Sequence, residues 1–143
     1  MEKQLWNFYK MGGNKMYKYY QPNKKDIKDK RTDCIIRALT KLTDKNWIEC
    51  FEMLIPHCIE LQSVPSDKVI IEAWLKDNGY KYTGISNAKG TKRPTVEKFS
   101  KANKSKTLMV VAHHCVTCED GNYFDTWDSG QCCLYGYWTK NDK

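Results

Sequence analysis

Cys34 stands in Thr32-Asp33-Cys34-Ile35-Ile36-Arg37-Ala38-Leu39. An apolar run begins there behind two residues that can cap a helix. A thiol is a poor nucleophile until it loses its proton. The first turn of a helix helps, because its unpaired N–H groups and the macrodipole favour an anion. A neighbouring imidazolium helps further, and the run Leu108-Met109-Val110-Val111-Ala112-His113-His114-Cys115-Val116 supplies two histidines. Read as one buried strand, it points His113 and His114 to opposite faces. His114 then shares its side with Leu108, Val110, Ala112 and Val116, and His113 with Met109, Val111 and Cys115. The structural alternatives are a thiol packed beside Ile35 and Ile36 and a core histidine bonded to a backbone carbonyl.

Counting across a hairpin selects an acid. Glu119-Asp120-Gly121-Asn122 is a strong turn signal, since Asp-Gly readily supplies positive φ angles. With Asp120 and Gly121 at the turn, Glu119 faces Asn122, Cys118 faces Tyr123, Val116 faces Asp125 and His114 faces Trp127. Facing residues share a side of the sheet, so Asp125 is a diagonal neighbour of His114 within side-chain reach. Asp128 falls on the other side. A bulge would reverse this parity and pair His113 with Asp125. In acyl-transfer chemistry the Cys34 thiolate attacks a carbonyl, the histidine holds its proton and later gives it to the leaving amine, and the aspartate fixes the ring. The Cys34 backbone N–H supplies half of an oxyanion hole.

The positioning elements follow from periodicity. The first helix is expected from about Cys34 to Leu42, with Ile35, Ile36, Leu39 and Leu42 buried. A second starts near Asp44, carries Trp47, Ile48, Phe51, Leu54 and Ile55, and ends or kinks at Pro56. Ser66-Asp67 opens a third, with Val69, Ile70, Ala73 and Trp74 inward and Gly79 as its stop. A short strand at Tyr80–Thr83 and a brief helix from Thr95 precede three strands, Lys106–Cys118, Tyr123–Asp128 and Cys132–Trp138. Residues 1–23 read as an irregular N-terminal arm whose Tyr17, Tyr19 and Tyr20 can pack on the domain, and residues 24–143 as one domain. Helices first and an antiparallel sheet second make an α+β protein.

With 143 residues, 41% of them apolar, and five Trp and nine Tyr to fill a core, one domain is expected. No run of 18 apolar residues is present, which excludes a membrane-spanning helix. The start, Met1-Glu2-Lys3-Gln4-Leu5-Trp6, lacks an apolar signal segment. A cytoplasmic location is therefore expected, and the seven cysteines read as reduced thiols. Cys50 and Cys58 fall on apolar helical positions. The net charge of +7 concentrates at Lys24, Lys25, Lys28, Lys30 and Arg31, a patch suited to an acidic partner. Asp26 and Asp29 interrupt it and no aromatics alternate with it, so nucleic acid is not the favoured partner.

The motifs Asp33-Cys34-Ile35-Ile36-Arg37-Ala38-Leu39 and His114-Cys115-Val116, followed by Tyr123-Phe124-Asp125-Thr126-Trp127-Asp128, together resemble the papain-like cysteine peptidase superfamily. The form is compact, of the kind small phage or bacterial chains carry, and the resemblance covers roughly residues 30–138. It implies a thiol-bearing helix packed on a histidine-bearing sheet and a Cys34, His114, Asp125 triad without a cofactor. It favours His114 over His113 as the base. It also implies an upstream polar side chain, Gln21 or Asn23, as second oxyanion donor, and a groove for a protein or peptide substrate lined by Trp127, Tyr135 and Trp138. The expected activity is hydrolysis of a peptide or isopeptide bond in the cytoplasm, a host's included.

Two other classes share these residues. A non-catalytic protein on the same scaffold, such as a phage protein that blocks a host factor, would use the basic surface. A zinc-stabilised nucleic-acid binder would use Cys115-Val116-Thr117-Cys118 with Cys132-Cys133. Adjacent Cys132 and Cys133 point to opposite faces of a strand, and Cys115 and Cys118 converge only if the chain curls.

Overall fold

The computed structural model describes residues 16–25, 32–86, 90 and 92–140. Among them are four helices and a six-stranded sheet, an α+β protein. The elements are β1 (Tyr17–Tyr19), α1 (Cys34–Thr43), α2 (Trp47–Leu61), α3 (Lys68–Asp77), β2 (Tyr80–Gly84), α4 (Val96–Lys101), β3 (Thr107–Val111), β4 (His114–Glu119), β5 (Asn122–Asp125) and β6 (Gly136–Lys140). The sheet order is β1-β5-β4-β3-β6-β2. Every pairing is antiparallel except β1 with β5, which is parallel. The sheet is thus mixed rather than purely antiparallel, and a strand stands at Tyr17–Tyr19 where an irregular lead-in is expected.

On α1, Ile35, Ile36, Ala38, Leu39 and Leu42 are buried, a stripe at helical spacing. Asp44 closes the helix in the left-handed region and donates its N–H to the Thr40 carbonyl, so α2 cannot begin there. Instead Asn46 caps α2 in a reciprocal box with Glu49. Pro56 lies inside α2, which runs on to Leu61. The carbonyl that Pro56 leaves unpaired belongs to exposed Glu52, where water can satisfy it, while buried Leu54 and Cys58 anchor both sides. On α3 the inward face is Ile70, Ile71, Trp74 and Leu75, one step round from the expected arc; Val69 is exposed.

The largest departure concerns Lys106–Cys118, which is two strands rather than one. The chain reverses at Ala112-His113, with His113 at φ 55°, and β3 pairs with β4 from Val111 opposite His114 to Thr107 opposite Cys118. No Gly, Asn or Asp marks that turn. The next hairpin turns at Asp120 and Gly121, both at positive φ, and sets Glu119 opposite Asn122 and Cys118 opposite Tyr123, as the count requires. Beyond it, β5 stops at Asp125, because the Asp125 carboxylate takes the Thr126 N–H and the chain turns away. The last strand begins at Gly136 rather than Cys132. A Cβ on Gly136 would collide with the Tyr82 ring of β2.

Three helices cover one face of the sheet. Ile35, Leu39, Leu54, Ile70 and Leu75 pack there with Leu108, Cys115 and Trp138. On the other face α4 and the 129–134 segment bury Val96 and Leu134 against Met109, Val116, Cys118 and Tyr123. Contacts fix how α1 lies on β4. The Cys115 thiol reaches the Cys34 carbonyl, Thr117 Oγ1 donates to the Ala38 carbonyl (2.7 Å), and Lys41 pairs with Glu119 (3.5 Å). These pairs run in the same order along both elements, so α1 is parallel to β4. The start of α1 therefore meets the start of β4, which brings Cys34 to His114.

Candidate active site

His114 opens β4 directly after the Ala112-His113 turn, and Asp125 closes β5. The His114 Nε2 donates to Asp125 Oδ2 (2.6 Å). That leaves Nδ1 as the ring nitrogen available to Cys34. The Cys34 thiol is pulled down to about 4. A hydrogen bond from the Cys115 thiol is the largest cause, burial opposes it, and a hydrogen bond and charge from His114 add to it. For His114, burial alone would lower the pKa. The hydrogen bond to Asp125, then that to Cys34, and the charges of both outweigh burial and raise it to about 9. Near neutral pH the pair is thus a thiolate beside an imidazolium. The remaining shifted thiols move the other way: burial raises Cys50, Cys58 and Cys132 and carries Cys118 to about 11, and the interaction with Cys34, then burial, raises Cys115 well above the usual thiol value.

Asp125 is 3% exposed and surrounded by donors. Ser129 Oγ donates to Oδ2 (2.8 Å), the Thr126 N–H to Oδ1 (2.8 Å), and Arg37 lies 3.6 Å from Oδ1. Its backbone carbonyl accepts from the Tyr20 N–H (2.8 Å) and Tyr17 Oη (3.2 Å). The parallel β1 strand thereby pins the carboxylate's own backbone. Arg37, itself buried, bridges Asp125 to Asp33.

Asp33 sits at the start of α1 but its side chain does not cap the helix. Its carboxylate takes Arg37, Trp47 Nε1 (3.0 Å) and Asn23 Nδ2 (3.3 Å) instead. The first-turn N–H groups beside Cys34 are not spent on that carboxylate, which suits them to a developing oxyanion.

Asn23 is held against Asp33, and its Oδ1 accepts from the Lys25 N–H (3.0 Å). Gln21 Oε1 accepts from the Asn23 N–H (2.9 Å). Neither borders the cavity beside Cys34. That cavity, about 580 Å³, runs from Cys34, His114 and Cys115 over Leu108, Val110, Ile71 and Trp138 to Tyr82 and Tyr135. Trp138 forms its wall at 3% exposure and Tyr135 its rim at 43%. Trp127 is elsewhere: its ring packs tilted against the His114 imidazole, with ring centres 5.0 Å apart. In the basic patch Lys24 and Lys25 are exposed, and Lys28, Lys30 and Arg31 lie outside the described residues.

Cys115 and Cys118 enter opposite cores. Among the described residues no group of three or more His, Cys, Asp and Glu is placed to hold a metal ion. None of their helices is long and apolar enough to cross a membrane.

Sequence reasoning missed Arg37, Ser129 and Cys115. Arg37 had a signal, its i,i+4 spacing from Asp33 within an apolar run. Ser129 and Cys115 had none, since their partners are set by tertiary contact. Asp128 serves the fold rather than the triad, and its Oδ1 accepts from Tyr123 Oη and the Gly130 N–H (3.0 Å). An Asn carbonyl can accept both bonds. Asp128→Asn is therefore expected to cost under about 1 kcal/mol in a melting experiment and to change turnover by less than roughly threefold.

No family model, no curated protein and no solved structure matches this chain.

Proposed function

We propose that this chain is a thiol-dependent amide hydrolase of papain-like plan, acting on a peptide or isopeptide bond. The hydrogen-bonded series Cys34, His114, Asp125 carries the reading. The Cys34 thiolate attacks the carbonyl carbon, and the oxyanion forms beside the first-turn N–H groups of α1. The His114 imidazolium gives its Nδ1 proton to the departing amine, leaving a thioester on Cys34. Neutral His114 then takes a proton from water, whose oxygen displaces Cys34 and releases the carboxylic acid, which gives its remaining proton to solvent. The thiolate and imidazolium are restored.

The apolar walls of the cavity suit a substrate with an apolar side chain near the reacting carbonyl. Lys24 and Lys25, with Lys28, Lys30 and Arg31, suit an acidic segment of the substrate or its carrier. The chemistry needs Cys34 reduced, which fits a cytoplasm, a host's included.

The test is turnover of a fluorogenic peptide library across pH. Protonation of the thiolate removes the nucleophile, so kcat/KM is expected to fall below pH about 4. Loss of the imidazolium removes the acid, so it is expected to fall again above pH about 9. A library with no cleaved member, or a rate that only rises toward alkaline pH as for an isolated thiol, would overturn the reading.

A further inference from the structure

Cys115 is a buried nucleophile that acyl transfer does not consume. Its sulfur lies 3.7 Å from the Cys34 carbonyl oxygen, and the two thiols shift each other's pKa, Cys34 downward and Cys115 upward. Both residues border the cavity. Cys34 is the more open of the two, and Cys115, 8% exposed, lies behind it. The next thiol along β4, Cys118, enters the core on the other side of the sheet. An accessible thiolate with a second thiol beside it is the arrangement in which oxidation of the first is trapped by the second.

We propose that Cys34 and Cys115 form a reversible disulfide when a peroxide oxidises the nucleophile, turning the site off and guarding it from irreversible oxidation. This rests on the reading of Cys34 as a nucleophilic thiolate. The Cys34 sulfur attacks one oxygen of hydrogen peroxide; an S–O bond forms and the O–O bond breaks. The departing hydroxide takes the His114 proton and leaves as water. Cys34 is now a sulfenic acid, oxidised by two electrons as the peroxide is reduced. The Cys115 sulfur then attacks the Cys34 sulfur; the S–S bond forms, the S–O bond breaks, and hydroxide leaves with the Cys115 proton as a second water. The disulfide needs the two sulfurs to close to about 2 Å, and the Cys115 sulfur already reaches the Cys34 backbone. A dithiol reductant restores both thiols by exchange.

The test exposes the reduced protein to hydrogen peroxide, blocks free thiols with iodoacetamide and maps peptides without reduction. The expected product is a Cys34–Cys115 linked peptide that disappears with dithiothreitol. In Cys115→Ser, Cys34 is expected to react with dimedone, which traps sulfenic acid, and to advance to sulfinic acid that dithiothreitol does not reverse. Wild-type Cys34 that reaches sulfinic acid without a linked peptide, or pairs with another cysteine, overturns the inference, and neither observation depends on how the variant folds. The mass readout is independent of turnover. A linked peptide in a protein that cleaves no amide sinks the hydrolase reading alone, and cleavage without a linked peptide sinks the switch alone.

Discussion

Cys34→Ala is expected to lower turnover by about 10⁴-fold or more, because it removes the atom that forms the thioester in the proposed reaction. The fold should survive. Cys34 is only partly buried at the first position of α1, whose stability comes from Ile35, Ile36, Leu39 and Leu42. His114 loses one of its two partners but keeps Asp125, so stability is expected to change by no more than about 1 kcal/mol. Circular dichroism melts beside peptide turnover separate the two effects. A variant that melts normally and still cleaves would remove Cys34 from the mechanism.

Asp125→Asn is expected to be nearly as damaging to turnover and far more damaging to the fold. The carboxylate only accepts hydrogen bonds, and donors meet both of its oxygens. His114 and Ser129 point at Oδ2, the Thr126 N–H at Oδ1, and Arg37 lies nearby. An amide offers one acceptor and one donor group. Whichever way it turns, its NH₂ faces a donor, either His114 and Ser129 or Thr126 and Arg37. The first orientation spoils the imidazole tautomer; the second strains the end of β5. Turnover is expected to fall about 10³-fold. Leaving buried donors without an acceptor is expected to cost about 2–3 kcal/mol, on the order of 10 °C in Tm at this size. The alkaline limb of the pH profile should move down, since Asp125 supports the raised pKa of His114. Asp128→Asn is the control: equal damage from both substitutions would detach the carboxylate's role from His114.

What could be read in the sequence was local. The stripe Ile35, Ile36, Leu39, Leu42 placed α1, and the turn at Asp120-Gly121 gave the register that led to Asp125. That register holds although Lys106–Cys118 is two strands, because the count began at Asp120-Gly121 and never crossed Ala112-His113. The Ala112-His113 turn stayed hidden because no Gly, Asn or Asp marks it and only His113 takes a positive φ, between the paired residues Val111 and His114. Asp125 was found on one side of β5, but its surroundings were not. Arg37 reaches it from α1 and Tyr17 and Tyr20 from the β1 segment, contacts that no spacing along the chain encodes. Asp33 shows a residue type correctly noticed and wrongly employed: it stands at the helix start, but Arg37, Trp47 and Asn23 claim its carboxylate. Likewise the aromatic residues divide, Trp138 and Tyr135 to the cavity and Trp127 to the face of the imidazole.

The relation between the Cys34 sulfur and the His114 ring underlies both substitutions. It is measured most directly by the ultraviolet absorbance of the thiolate, titrated with acid and taken as the difference between wild type and Cys34→Ala. The ion pair requires the difference signal to persist through neutral pH and vanish only near pH 4. In His114→Ala the transition should move up, because the imidazolium's hydrogen bond and charge are gone. A wild-type sulfur that loses its absorbance near pH 9, the ordinary thiol value, and does so unchanged in His114→Ala, would mean that no thiolate–imidazolium pair exists in this protein.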